Sequence, residues 1–488
     1  MATSPEVQTL SGATSEFSDE QMREVLRRQR AAQLAEGPPS AERRIDRLDR
    51  AIGTVVDHQD EIVEALASDF GSRSPEESLM TNVMGSIDPL KFAKKNLRRW
   101  MKPEKRKAMF PLNLLGARAE IRYQPLGVIG VISPWNFPFN LTFGPLAGAL
   151  AAGNRVMIKP SEFTPASSAL MERMFASAFD ETEIAVITGG PEVGQAFSGL
   201  AFDHLLFTGA TGVGRHVMRA AAENLVPVTL ELGGKSPTIV GRSANIEEAA
   251  GKIMGGKMMN AGQICLAPDY VFVPKEKEAE FVAALESSVS KMFPSLADNP
   301  DYTSVINARH RDRLAGYVSE ARAQGAEVIE LNPAGESFDS DEHCKMAPTL
   351  VRNPDDKMAV MTDEIFGPIL PIKTYDQIDE VIDYVNDRDR PLGLYYFGSD
   401  AAEQERVLSR TSSGGVTIND VIMHVGVEDL PFGGVGPSGM GSYHGREGFE
   451  TFSHARGVFT QAKVNLGAMM RPPYGDRVRK MVKGQIKR

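Results

Sequence analysis

The sequence predicts an α/β protein made of two units, each a parallel sheet with crossover helices. Three observations carry this. Short apolar runs alternate with helical stretches from about residue 126 to 232. A second alternating series follows from 237 to 419. The composition, 42% hydrophobic and 24% charged over 488 residues, is that of a soluble globular chain long enough for several cores.

The elements follow in order. Residues 1–16 are polar, without a basic segment leading into an apolar one, so no secretory signal is expected there. Ser18 and Gln21 form a capping box that opens a helix, with Phe17 and Met22 as its hydrophobic staple. Pro38-Pro39 ends that unit, and a second helix opens at Ser40. Ile45, Leu48, Ile52, Val55 and Ile62 repeat on it at helical spacing. A basic stretch spans 94–107. The first sheet takes strands at 128–132, 155–158, 184–188, 204–208 and 226–232, with helices at 142–150, 165–179 and 212–223. The second takes strands at 237–240, 270–273, 326–331, 369–374, 393–397 and 416–419, with helices at 276–292 and 309–324. The boundary falls near Glu231. Residues 471–488 are basic and read either as a solvated tail or as a docking segment.

Charge and cysteine content exclude several classes. A net charge of -10 opposes general affinity for nucleic acid or anionic surfaces. Two cysteines make a disulfide framework improbable, and neither has the CxxC spacing of a zinc site, so no metal is expected. The longest apolar stretch, 141–153, is too short for a membrane span and is interrupted by Pro145. A cytoplasmic protein is the expectation.

Several short segments could carry chemistry. Glu231 ends a strand and precedes Gly233-Gly234, where α/β folds place ligands and a flat ring could approach the backbone; a solvated loop carboxylate reads equally well. Cys265 closes Asn260-Ala-Gly-Gln-Ile-Cys on a turn framed by Gly262 and Pro268. Alone it reads as a buried small residue or as a nucleophile needing a stabilised thiolate. Cys344 lies in a charged loop without such a frame. Asn136, held between Pro134 and Pro138, offers a rigid amide to an oxyanion, or caps its own turn. In Phe207-Thr208-Gly209-Ala210-Thr211-Gly212-Val213-Gly214 a strand runs through glycines into a helix, whose first amides can hold a phosphate. The spacing is not the usual dinucleotide fingerprint, and no Lys-Ser/Thr follows, as a phosphate-transferring loop needs. Lys159 and Glu162 sit at a strand end, where they could bond ribose hydroxyls or serve as surface charges. Asp363-Glu364-Ile-Phe366-Gly-Pro and Leu430-Pro-Phe432-Gly-Gly are Gly/Pro loops that each carry an aromatic.

Taken together, PWNFP, MIKPSE, FTGATGVG, LELGGKSP, NAGQIC, DEIFGP and PFGG resemble, in order, the aldehyde dehydrogenase superfamily from about residue 18 to 464. Cys265 follows Glu231 by 34 residues, a separation similar to the family's. Details around 265–270, 419–424 and 444–454 resemble the class 3 branch and, within it, the coniferyl-aldehyde dehydrogenases.

The resemblance implies a Rossmann-like cofactor domain, an α/β catalytic domain and a small β oligomerisation element. The implied division is 1–106 (helical part of the cofactor domain), 107–124 (oligomerisation strands), 125–231 (cofactor-binding core), 232–435 (catalytic domain) and 436–488 (last oligomerisation strand and tail). Cys265 would be the nucleophile and Glu231 the general base. Asn136 with the Cys265 amide would form the oxyanion hole. Lys159 and Glu162 would hold the adenosine ribose. Gly209, Ala210, Thr211, Gly212, Val213 and Gly214 would hold the pyrophosphate, Thr208 and Leu232 would also contact the cofactor, Glu364 would hold the nicotinamide ribose, and Phe366 would pack beside the nicotinamide. Two departures stand out: Ala210, where relatives often have Ser or Asn, and Ile264, where many have Thr or Val. The expected cofactor is NAD, with NADP also accepted, because Glu162 would repel a 2′-phosphate. The expected partners are a small apolar or aromatic aldehyde and a second copy of the chain. Strands near 120–123 and 458 would pair across the subunit interface. The rival activity is transfer of the thioester to CoA.

Overall fold

The computed structural model describes residues 17–110, 112–338, 344–463 and 471–486. The readings made for 1–16 lie outside these residues.

Helices come first. Ser18 caps the helix Asp19–Glu36, with the reciprocal Gln21 bond in place at 2.8 Å, and Met22 is fully buried in the core that Phe17 adjoins. Ser40 caps Ala41–Asp57, which buries Leu48 and Val55. The periodic series does not stay on one helix. The chain breaks at His58, and Ile62 belongs to the next helix, Gln59–Phe70. Buried ion pairs tie these helices to the first sheet: Arg47 reaches both Glu36 (2.7 Å) and Glu183 (2.9 Å).

Two strands, β1 (Glu104–Arg106) and β2 (Arg118–Pro125), then form an antiparallel arm. The first sheet follows as β3 (Val128–Ile132), β4 (Arg155–Lys159), β5 (Ile184–Val186), β6 (His204–Gly209) and β7 (Val228–Leu232), all parallel. These strands read as unbroken apolar runs because helices cover both faces of the sheet. The second sheet takes β8 (Pro237–Val240), β9 (Tyr270–Pro274), β10 (Glu327–Glu330), β11 (Thr349–Arg352), β12 (Ile369–Tyr375), β13 (Gly393–Phe397) and β14 (Gly415–Ile418). Its order is β10-β11-β12-β9-β8-β13-β14, with only β10 antiparallel. The expected series lacked β11. The chain then returns: β15 (Gly439–Met440) adds to the edge of β7, and β16 (Ser453–Thr460) to β2.

That last pairing corrects an expectation. The strands near 120–123 and 458 were expected to meet across a subunit interface. Within one chain they pair with each other, Val458 opposite Glu120. A two-strand arm has no third strand of its own until the chain comes back, so β16 completes it and becomes an edge of the β1-β2-β16 sheet.

The first sheet runs β15-β7-β6-β3-β4-β5. Strand order reverses between β3 and β6, so a crevice opens at their carboxyl ends. No helix among the described residues is long and apolar enough to cross a membrane.

Candidate active site

The turn that carries Cys265 is built from unusual backbone. Asn260, Ala261 and Gly262 have φ of 48°, 49° and 74°, three consecutive left-handed residues. A Cβ at Gly262 would strike the Gly367 carbonyl, so only glycine fits there. Such a conformation costs energy and persists because its surroundings determine it. The Asn260 amide nitrogen donates to Glu77 Oε1 (2.9 Å), and its side chain donates to the carbonyls of Asn136 (3.3 Å) and Gln263 (3.2 Å). Gln263 donates to the Asn260 and Ser304 carbonyls (2.9 Å each) and accepts from the Ile306 amide (2.9 Å). Cys265 alone among residues 260–274 escapes full burial.

Asn136 is tied to the same turn. Its Nδ2 donates to the Gln263 carbonyl at 3.1 Å, and its own carbonyl accepts from Arg73 at 2.9 Å. The amide is thereby fixed two residues from the thiol, with its second N–H still to be used. Replacing Asn136 with Ala is expected to lower kcat about a hundredfold or more while Tm moves by only a few degrees. Steady-state kinetics and thermal melts check this.

Glu231 lies inside β7, buried at 3% exposure, and neither carboxylate oxygen has a hydrogen-bond partner. Burial pushes its pKa well above the ordinary carboxylate value. Cys265 sits within electrostatic reach of both Glu364 and Glu231. Burial first, and then these two carboxylates, push the thiol up to about 12. A thiol so raised is mostly protonated at neutral pH. Its alkylation by iodoacetamide, followed on the Cys265 peptide, is expected to rise about tenfold per pH unit from pH 7 to 10. A plateau below pH 9 would contradict this.

The residues expected to bind a cofactor lie at the carboxyl ends of β4 and β6 and at the start of the next helix. The helix Thr211–Ala222 begins after Ala210, whose side chain makes no cap, so its first amides are left to an anion. Gly212 faces open space, and the buried Thr208 hydroxyl is unpartnered. Leu232 is buried, with its side chain lying where a Cβ on Gly214 would go; its amide donates to the Ser438 carbonyl (3.0 Å). It therefore packs helix onto strand, and its amide is already taken. Lys159 is buried at the end of β4, donates to the Pro160 carbonyl (2.7 Å), and lies 3.6 Å from the exposed Glu162.

A cavity of about 540 Å³ is lined by Thr211, Gly233, Gly234, Lys235 and Glu364 among others. Glu364 rests against Gly233, where any side chain would collide with its carboxylate. Burial, and secondarily Asp269, push it up to about 8. Phe366 packs edge-on against Trp135, ring centres 5.3 Å apart, from a backbone at φ 48°. The uncapped amides at the start of the helix Thr211–Ala222 suit the pyrophosphate of a dinucleotide.

Sequence reasoning assigned no role to Arg73, Glu77, Asn260, Gln263 or Trp135. Asn260, Gln263 and Trp135 stand inside the quoted motifs. Glu77, on a short distant helix, and Arg73, in the connection before it, leave no local signal.

The chain belongs to the aldehyde dehydrogenase family, whose model matches residues 2–458. It is 62% identical over 470 residues to a probable coniferyl aldehyde dehydrogenase of Caulobacter vibrioides, covering 96% of this chain and 97% of that one. It is 54% identical to the coniferyl aldehyde dehydrogenase of a Pseudomonas species, covering 94% and 95%. With aldehyde dehydrogenase family 3 member A2 of Pongo abelii it shares 38%, over 91% of this chain and 89% of the other. The substrate-bound AldH of Staphylococcus aureus superposes with a TM-score of 0.89 at 36% identity, covering 96% and 99%. The NAD+ complex of betaine aldehyde dehydrogenase from the same organism gives 0.82 at 27%, covering 93% and 89%.

Proposed function

We propose that the protein oxidises an apolar or aromatic aldehyde, of the coniferyl type, to its carboxylic acid with NAD+ through a thioester on Cys265. The observation that carries this is the convergence of three groups. The one accessible residue of a buried turn is a cysteine, an amide is bonded to that turn, and an unpartnered buried carboxylate lies within reach. NAD(P), when bound, supplies the hydride acceptor.

The residues act in sequence. The Cys265 thiolate adds to the aldehyde carbon, and the Asn136 amide with the Cys265 N–H holds the resulting oxyanion. After oxidation a thioester remains on sulfur. Glu231 takes the proton from an attacking water; a carboxylate of raised pKa is a better base for this task. An acceptor thiol such as CoA needs that base less, so Glu231 favours hydrolysis. Cys265 packs in one apolar cluster with Trp135, Phe137, Ile264, Phe432 and Tyr443, which suits an aromatic substrate. The direct test is NADH production across aliphatic and aromatic aldehydes, with and without CoA.

Lys159 and Glu162 would hold the adenosine ribose, and Glu364 the other. Glu162 would repel a 2′-phosphate, so NAD is the preferred cofactor. Glu162→Gln is expected to raise kcat/KM for NADP relative to NAD about fivefold. A wild-type preference for NADP would refute the assignment. The acidic chain, without a disulfide between Cys265 and Cys344, fits a cytoplasmic location, and the β1-β2-β16 arm with its open edge fits a homodimer contact.

A further inference from the structure

Among the described α-helices, only Asp476–Gln485 buries no residue. At 100° per residue, Val478, Met481, Val482 and Ile486 fall on one arc. Arg477 and Arg479 border that arc on its two sides, and Lys480 and Lys483 occupy the opposite face. Met481 and Ile486 are exposed, as is Tyr474 just before the helix. Elsewhere in the chain such a stripe is covered: Ala41–Asp57 buries Leu48 and Val55. The only acidic residue here, Asp476, lies 3.5 Å from Arg479 at the surface. The helix thus carries positive charge on a chain whose net charge is -10.

We propose that this helix binds an anionic lipid surface, lying in the headgroup plane with its Val/Met/Ile face down. The pattern has the parts such a helix needs: a narrow apolar face, low overall hydrophobicity, and basic residues on the polar side. Arg477 and Arg479 sit where their stems can follow the apolar face while their charges stay with the headgroups. A groove on a protein partner would favour a large aromatic anchor within the stripe, and the helix has none. Ten residues make a helix of marginal stability in water, so a surface that takes up the stripe would also stabilise the fold of the segment. The acidic remainder of the chain is repelled by the same surface, which confines contact to this helix.

The test is flotation of the full-length protein with phosphatidylcholine vesicles, with and without about one-third phosphatidylglycerol. Binding is expected only with the anionic lipid and is lost in high salt. Changing Val478, Met481 and Val482 together to Asp abolishes it. The quadruple change Arg477→Gln, Arg479→Gln, Lys480→Gln and Lys483→Gln weakens partitioning on the order of a thousandfold. Both variants keep wild-type Tm and aldehyde turnover in solution. No binding to anionic vesicles would overturn the proposal, as would equal binding to neutral vesicles or binding that survives the Asp substitutions. A change of oligomeric size in the variants would assign the helix to a second copy instead, and salt-sensitive binding of RNA without vesicle binding would assign it to nucleic acid.

Discussion

Cys265→Ala is expected to abolish aldehyde oxidation, lowering kcat/KM on the order of 10⁴-fold or more while leaving cofactor affinity within about twofold. The reason is chemical. Hydride loss from an aldehyde needs a tetrahedral centre with an electron-rich oxygen, and the alanine variant has no nucleophile to create one. The turn should survive the change, because its geometry is held by Asn260, Gln263 and Glu77 and not by the thiol. NADH production and cofactor titration measure the two effects separately. Retained turnover would remove the nucleophile from the account. A joint loss of turnover and cofactor binding would show collapse of the turn.

Glu231→Gln divides the reaction at a different point. The carboxylate is needed to activate water, so acylation should persist while deacylation slows about 10²- to 10⁴-fold. Rapid mixing is expected to show one equivalent of NADH per site, followed by slow turnover. The substitution also removes one of the two carboxylates that raise the Cys265 thiol, so the pH at which the burst appears should fall. In the wild type, turnover should rise with pH as Glu231 ionises, since burial holds its pKa above the ordinary value and its protonated form is not a base. The same shift has a stability consequence of definite sign. A carboxyl with a raised folded-state pKa stabilises the fold at low pH and loses that contribution as pH rises through the raised value. Glu231→Gln should therefore be more stable than wild type at alkaline pH, as thermal melts would show.

Much of this was legible in the residues. β3 and β8 are found at their predicted bounds because a strand buried on both faces must be a continuous apolar run between breakers. The capping box at Ser18 was readable because a cap is a local bond between near neighbours. β11 was not: Thr349–Arg352 is four residues ending in a charge, and only its neighbours β10 and β12 make it a strand. The break at His58 carries no proline or glycine, so periodicity ran through it. β2 and β16 are partly exposed, and their mutual pairing is a contact across more than 300 residues that no local pattern encodes.

The site divides in the same way. Cys265, Glu231 and Asn136 stand in recognisable motifs, but what makes them a site is three-dimensional. Glu231 looks like any strand-end carboxylate until its burial and lack of partners are seen. Leu232 and Ala210 show the limit of position-by-position assignment. The Leu232 amide is spent on Ser438, and the absent cap at Ala210 leaves the helix amides exposed. Glu77 fixes the nucleophile turn from 183 residues away, and Arg73 holds the Asn136 carbonyl from 63 residues away.

The central claim is the thioester on Cys265. Its most direct test is acid-quenched mass spectrometry of Glu231→Gln after one turnover with an aromatic aldehyde and NAD+. The account predicts the acyl mass on the Cys265 peptide, at near one equivalent and released by hydroxylamine. Full NADH release with no adduct, or an adduct on another residue, would contradict it.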